Sequence, residues 1–239
     1  MLGSPARLLA DNGALSYRLW VTRRSEQLSD ALQEYVEAHS AQPDQILQDL
    51  AVETARRFGA ASGMQIGPDQ GAFMTTLARL TGARRAVEVG TFTGYSAICI
   101  ARGLTADGTL LCCDVSDEWT SVARDYWKRA GLADRIELRL APAADTLRGL
   151  PAGTTFDLAF IDADKTGYVD YWDLIVPMIR ANGVIIVDNT LSQGRVVDPG
   201  NTDANVDGIR RFNDHAVADD RTDLVLLPIG DGVTIARKR

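Results

Sequence analysis

From Arg85 onward the chain alternates short apolar runs with amphipathic stretches, and no other feature narrows its possible folds as much. Strands are expected at 86–90, 109–114, 136–140, 156–162, 183–188, 224–228 and 233–236. Helices are expected near 95–104, 117–130, 143–150 and 168–181, between the first five strands. Strand, crossover helix and strand in succession build a parallel sheet covered on both faces. The last two strands have only a short link around Gly230-Asp231-Gly232, too short for a crossover, so they form an antiparallel hairpin. The fold class is therefore α/β, a doubly wound sheet, mostly parallel, with one antiparallel strand in a C-terminal hairpin.

Ahead of this region, 16–40 reads as helical with an apolar stripe of Leu19, Leu28, Leu32, Tyr35 and Val36. A second helix follows Pro43 over 44–58, then a loop at 63–68 and a helix over 69–80. The pattern describes one domain: an N-terminal helical layer (1–62) and an α/β core (63–239). Between 190 and 223 no element is delimited, beyond placing His215 in a helix.

Acidic residues outnumber basic ones, 32 to 25, and no basic run could track a phosphate backbone, which argues against nucleic acid. No apolar stretch is long enough to span a bilayer and no signal-peptide core is visible, so no membrane partner and a cytoplasmic location are expected. Cys99, Cys112 and Cys113 match neither a disulfide framework nor a metal spacing. Cys112 and Cys113 are adjacent on a strand and read as small core residues on opposite faces. His39 and His215 have no ligand-type neighbours and read as partly exposed helix residues.

Two strands end in ionisable groups. Phe156 to Ile161 runs into Asp162-Ala163-Asp164-Lys165, and Gly183 to Val187 runs into Asp188-Asn189. Asp162, Asp188 and Asn189 offer only oxygen, which selects a hard cation, Mg²⁺ first with Ca²⁺ or Mn²⁺ behind it, and argues against zinc. Taken alone, Asp188-Asn189 could simply make a turn. Only three of the 25 basic residues are lysines, Lys128, Lys165 and Lys238. Arginine cannot release its proton in a protein and lysine can, so Lys165 at this strand end reads as a general base. A phenolic acceptor with two adjacent hydroxyls suits such a site, because the cation lowers the hydroxyl pKa from ~10 and favours neutral lysine.

Val87 to Ser96 is a strand, a glycine-rich turn and a helix start. The dinucleotide fingerprint fails there, since Phe92 and Tyr95 occupy its second and third glycine places. Asp114, ending the next strand, is placed for a ribose diol. A nucleoside without a diphosphate follows, with S-adenosylmethionine as candidate. The plainer alternative is a tight turn at Gly90 and Gly94 with Asp114 as a helix cap.

At this point the chain resembles the cation-dependent class I O-methyltransferases of the caffeoyl-CoA and catechol type. The resemblance is carried by Met64 to Gly71, Val87 to Ser96, Phe160 to Lys165, Asp188 to Leu191 and Leu227 to Val233. It implies a Rossmann-like seven-stranded sheet and a homodimer built partly from the N-terminal helices. It also implies Asp162, Asp188 and Asn189 as metal ligands, with Lys165 as catalytic base beside Asp162. Glu88, Gly90, Thr91, Tyr95, Ser96, Asp114, Val115, Ala143 and Asp162 would line the cofactor, with Met64 and Ile66 at the methyl end. Ser192 and Gln193 stand where the plant enzymes carry Trp and Asn, and Asp203, Asn205 and Ile209 replace residues that engage CoA. Asp198, Asp203 and Asp207 make that segment acidic, which would repel CoA phosphates. A small free catechol-like acceptor is therefore expected, with a caffeoyl-CoA-type thioester as the alternative. A nucleoside-binding module without catalysis is disfavoured by the intact lysine and oxygen ligands, and a nicotinamide-dependent dehydrogenase by the broken glycine fingerprint.

Overall fold

The computed structural model describes residues 29–239. Seven strands form one sheet: β1 (Arg85–Val89), β2 (Thr109–Asp114), β3 (Ile136–Leu140), β4 (Phe156–Ile161), β5 (Ile179–Val187), β6 (Thr222–Leu227) and β7 (Val233–Lys238). Their order is β3-β2-β1-β4-β5-β7-β6. The first five pair in parallel, and β7 lies antiparallel between β5 and β6, so one strand is reversed, as the short 230–232 link requires. The direction of winding changes between β1 and β4, which is where open α/β sheets leave a crevice at their carboxyl rim.

Side-chain alternation along the strands separates two cores. Leu158, Phe160 and Ile186 face the side covered by α2 (Gln45–Phe58), α3 (Pro68–Leu80), α4 (Tyr95–Gly103) and α5 (Asp117–Arg129). Ala159, Ile161 and Ile185 face α6 (Ala143–Arg148), α7 (Tyr168–Ile175) and α8 (Ala204–Ala218). Cys112 and Cys113 fall into opposite cores, as their adjacency on β2 predicts.

Three expectations are corrected. The helix expected over 168–181 stops at Ile175, because Pro177 has no N–H to continue the ladder and restricts the residue before it. The chain then enters β5 four residues before Gly183, pairs Ile179 with Phe156, bulges, and resumes at Val184 opposite Leu158. Of the helix expected over 16–40, 16–28 lies outside the described residues; α1 (Asp30–Ala38) starts behind a Ser29 cap. Of the stripe residues described, Leu32 is 41% and Tyr35 60% exposed and Val36 is half-buried. The undelimited stretch before β6 contains α8, opened by Asp203, whose Oδ1 accepts from Asn205 and Val206 N–H at 2.9 and 3.2 Å.

Among the described residues, no helix is long and apolar enough to cross a membrane.

Candidate functional site

Parallel-ladder hydrogen bonds continue one residue past the ends of three central strands, and those next residues carry the site. Gly90 N–H donates to the Cys113 carbonyl (2.9 Å), Asp162 N–H to that of Val89 (2.8 Å) and Asp188 N–H to that of Ile161 (3.0 Å). The backbone at each position is thus pinned by the sheet while the side chain stands clear of it. Together they border a cleft of about 840 Å³ at the carboxyl rim. A second hollow, about 410 Å³, lies at the opposite rim around Arg85 and Arg135. There the Arg135 guanidinium is already committed to three backbone carbonyls.

The glycine-rich turn is held by Asp114. Its Oδ2 accepts from Thr91 and Phe92 N–H, both at 2.9 Å, and its Oδ1 from Ser116 N–H at 2.8 Å. The carboxylate therefore shapes the turn and lines the cleft at once, and the cap of α5 is Ser116 rather than Asp114. Gly94 has φ +86°, and a Cβ there would come within 2.7 Å of Ala123 and Trp127, so only glycine lets α5 close against the turn.

Glu88 is fully buried on β1, on the face toward α4. Ser96 Oγ donates to its Oε1 at 2.6 Å and Cys112 Sγ to its Oε2 at 3.3 Å. It is the single residue of the expected set that does not line the cleft; the other thirteen do. Burial pushes its carboxyl up to about 8. An acid whose pKa rises on folding stabilises the fold while protonated, and that contribution fades as pH climbs from about 4.5 toward 8. Glu88→Gln is expected to remove this fall, of the order of a few kcal/mol at ~1.4 kcal/mol per unit. Melting temperatures from pH 5 to 9 check it; parallel curves for the two proteins would mean the carboxyl ionises without penalty.

At the other wall, Lys165 Nζ donates to Asp162 Oδ1 and to Tyr168 Oη, each at 2.8 Å, and Tyr168 Oη in turn donates to the Asp188 carbonyl at 3.2 Å. Tyr168 is fully buried, so the amine is held between two fixed oxygens. Asp164 is a support: it accepts from Tyr171 Oη at 2.5 Å and from Thr166 Oγ1 at 3.3 Å. Helix α8 seats directly on this stretch, since a Cβ on Gly208 would meet the Lys165 carbonyl at 2.5 Å. Asn205 and Ile209, on the same face of α8 as Gly208, line the cleft beside it.

Asp188 is 3% exposed and makes no ion pair among the described residues. Burial first, then the neighbouring Asp162 charge, raises its carboxyl pKa. Among the described residues no three His, Cys, Asp or Glu side chains gather as a metal cluster. The donor set is two carboxylates and the Asn189 amide, and a buried carboxylate lacking a counter-charge beside a second one fits a hard cation. Cofactor fit is supported by Gln65 Oε1, a buried wall atom without a partner among the described residues, because buried polar atoms rarely lack one. Backbone strain gathers here too. Phe92, Asn189, Ser192 and Gln193 hold φ between 47° and 56°, at a cost of about 1–3 kcal/mol each.

Sequence reasoning did not find Gln70, Trp119 or Arg195 as cleft residues. Gln70 lies inside the Met64 to Gly71 motif, but nothing in its type marks it; the other two carry no local signal. The acidic residues of the loop, Asp198, Asp203 and Asp207, do not line the cleft. Asp203 caps α8, Asp207 pairs with Arg210 at 2.8 Å, and Asp198 Oδ1 accepts from Gly200 N–H at 2.9 Å.

Comparison with known proteins agrees with this geometry. The chain is 37% identical over 216 residues to probable caffeoyl-CoA O-methyltransferase 2 of Dictyostelium discoideum, covering 89% of this chain and 93% of that protein. It is 34% identical to catechol O-methyltransferase domain-containing protein 1 of Mus musculus, covering 92% and 86%. The crystal structure of an O-methyltransferase from Bacillus cereus in complex with SAH superposes with a TM-score of 0.81 at 33% identity, covering 87% of this chain and 97% of that one. Residues 37–239 match the family model described as O-methyltransferase, and the chain belongs to that family.

Proposed function

We propose that the protein transfers the methyl group of S-adenosylmethionine to one hydroxyl of a vicinal dihydroxy aromatic molecule, with Lys165 as general base. The observation that carries this is the placing of Lys165 Nζ, 2.8 Å from Asp162 Oδ1, on the rim shared by Asp188, Asn189 and the Gly90 turn. Supporting the choice of donor, the Bacillus cereus relative was solved with SAH, the product of such a transfer.

The acceptor hydroxyl loses its proton to Lys165 Nζ, and its oxygen attacks the methyl carbon. The methyl–sulfur bond breaks, sulfur keeps the electron pair, and S-adenosylhomocysteine leaves as a neutral thioether. Tyr168 and Asp162 hold the amine in position, and most of the remaining acceleration comes from aligning two bound reactants. Asp162, Asp188 and Asn189 would hold Mg²⁺, which when bound lowers the pKa of a hydroxyl and favours the neutral lysine. A homodimer is part of this reading, supported by the exposed Leu32 and Tyr35 of α1.

Incubation with labelled S-adenosylmethionine, Mg²⁺ and a panel of vicinal diols is expected to give mono-methylated product. EDTA is expected to suppress the rate at least about 100-fold, reversibly on adding Mg²⁺. Activity that survives chelation, and survives again in Asp188→Ala, would rule out the metal part of the reading. A caffeoyl-CoA-type thioester is a second acceptor class, favoured by the name of the Dictyostelium relative.

A further inference from the structure

We propose that Arg195 selects acceptors that carry an anionic group remote from the reacting hydroxyls. This deepens the methyl-transfer reading above and rests on it.

The charges around the cleft are unequal. Among the described residues, Asp114, Asp162, Asp164, Asp188 and Asp231 line it, against two cations, Lys165 and Arg195. Lys165 is paired with Asp162. Arg195 makes no ion pair among the described residues, although the chain holds 32 acidic side chains. Its three nearest acidic neighbours in sequence beyond the cleft, Asp198, Asp203 and Asp207, are engaged elsewhere, as described above. Asp162 and Asp188 are taken up by Lys165 and the cation of the reading above, so Arg195 is the cleft cation left to meet an anionic group away from the reacting hydroxyls.

The position is also built. Gln193 and Gly194 take left-handed conformations that turn the chain after Asn189. Arg195 Nε donates to the Ser192 carbonyl at 3.0 Å, which orients the guanidinium plane and leaves both Nη groups without a protein partner among the described residues. Arg210 clamps the backbone from α8, donating to the Arg195 carbonyl at 3.1 Å and the Val196 carbonyl at 3.0 Å. The same α8 seats on Lys165 through Gly208, so base and guanidinium are referenced to one rigid helix. A planar fork with both Nη groups free matches a carboxylate or a phosphate oxygen pair.

The test compares three acceptors sharing one dihydroxyphenyl group: a free carboxylate, its neutral methyl ester and its CoA thioester. In Arg195→Gln the ratio of kcat/KM for acid over ester is expected to fall about tenfold, chiefly through KM, with Arg195→Lys recovering part of it. If instead the ratio of thioester over ester falls and the acid ratio holds, the anion recognised is the CoA phosphate, and the proposal stands for that source. Ratios equal to those of the wild type for both anionic acceptors overturn the proposal. Wild-type turnover of none of the three removes the methyl-transfer reading, and this inference with it. Affinity for S-adenosylmethionine, measured by calorimetry in each variant, separates a local effect from misfolding.

Discussion

Lys165→Met is expected to lower the single-turnover methyl-transfer rate by about a thousandfold, in the middle of the 10²–10⁴ range that a positioned proton acceptor contributes. Methionine keeps the apolar stem and leaves no group able to accept the proton. Lys165→Arg is expected to be nearly as inactive, because guanidinium stays charged at any working pH. Binding of S-adenosylmethionine should persist in both, since the glycine-rich turn is fixed by Asp114 rather than by Lys165. Single-turnover rates with a saturating vicinal diol, beside calorimetric affinity for the methyl donor, provide the check. A rate within tenfold of wild type for either variant would move the base elsewhere.

Gly90→Ala is expected to cost about 3–5 kcal/mol of stability, the upper range for a point substitution, and to abolish methyl-donor binding in whatever fraction folds. The residue has φ +92°, where a Cβ is strained by about 1–2 kcal/mol. That Cβ would also lie far inside van der Waals contact distance of the Asp162 carbonyl oxygen. Asp162 cannot retreat, because its N–H is tied to the Val89 carbonyl and its partner strand to β5. The turn and the Asp162 strand end are therefore one mechanical unit, and a single methyl group separates them. A denaturation midpoint close to wild type, with normal activity, would contradict this.

The elements that could be read in advance are those whose signal is local. Strands β2 and β4 announce themselves as apolar runs and β1 and β3 as alternating apolar positions, and Asp44 and Ser116 are residue types that cap helices. Strand β5 was read too short because its first half, Arg180-Ala181-Asn182, is polar and edge-like, and only pairing with Phe156 draws it into the sheet. Helix α1 carries an apolar stripe, yet Leu32 and Tyr35 on it stay exposed in this chain alone, since periodicity records which side is apolar and not what covers it. Glu88 was legible as a carboxylate next to the glycine turn. Its burial was not, because it follows from the parity that sets it opposite Cys112 and Phe160.

The charge of the loop after Asn189 shows the same limit. Counted along the chain, Asp198, Asp203 and Asp207 make an acidic segment. Folded, each is turned to a cap, a turn or an arginine, and the cleft receives Arg195 instead.

Sequence alone determined the parallel sheet with its reversed strand, the broken dinucleotide fingerprint, and the residue types at the carboxyl rim: Asp162, Lys165, Asp188 and Asn189. These follow from period-two apolar runs and from side-chain chemistry, both of which act over a few residues. Tertiary structure alone decided that Gly90 touches Asp162, that Tyr168 and Asp162 share the lysine, that Glu88 is sealed beneath the turn, and that Arg195, but not Asp198, Asp203 or Asp207, lines the cleft. Each of these depends on strand order, strand parity and helix seating, which bring together residues tens of positions apart that no local pattern connects.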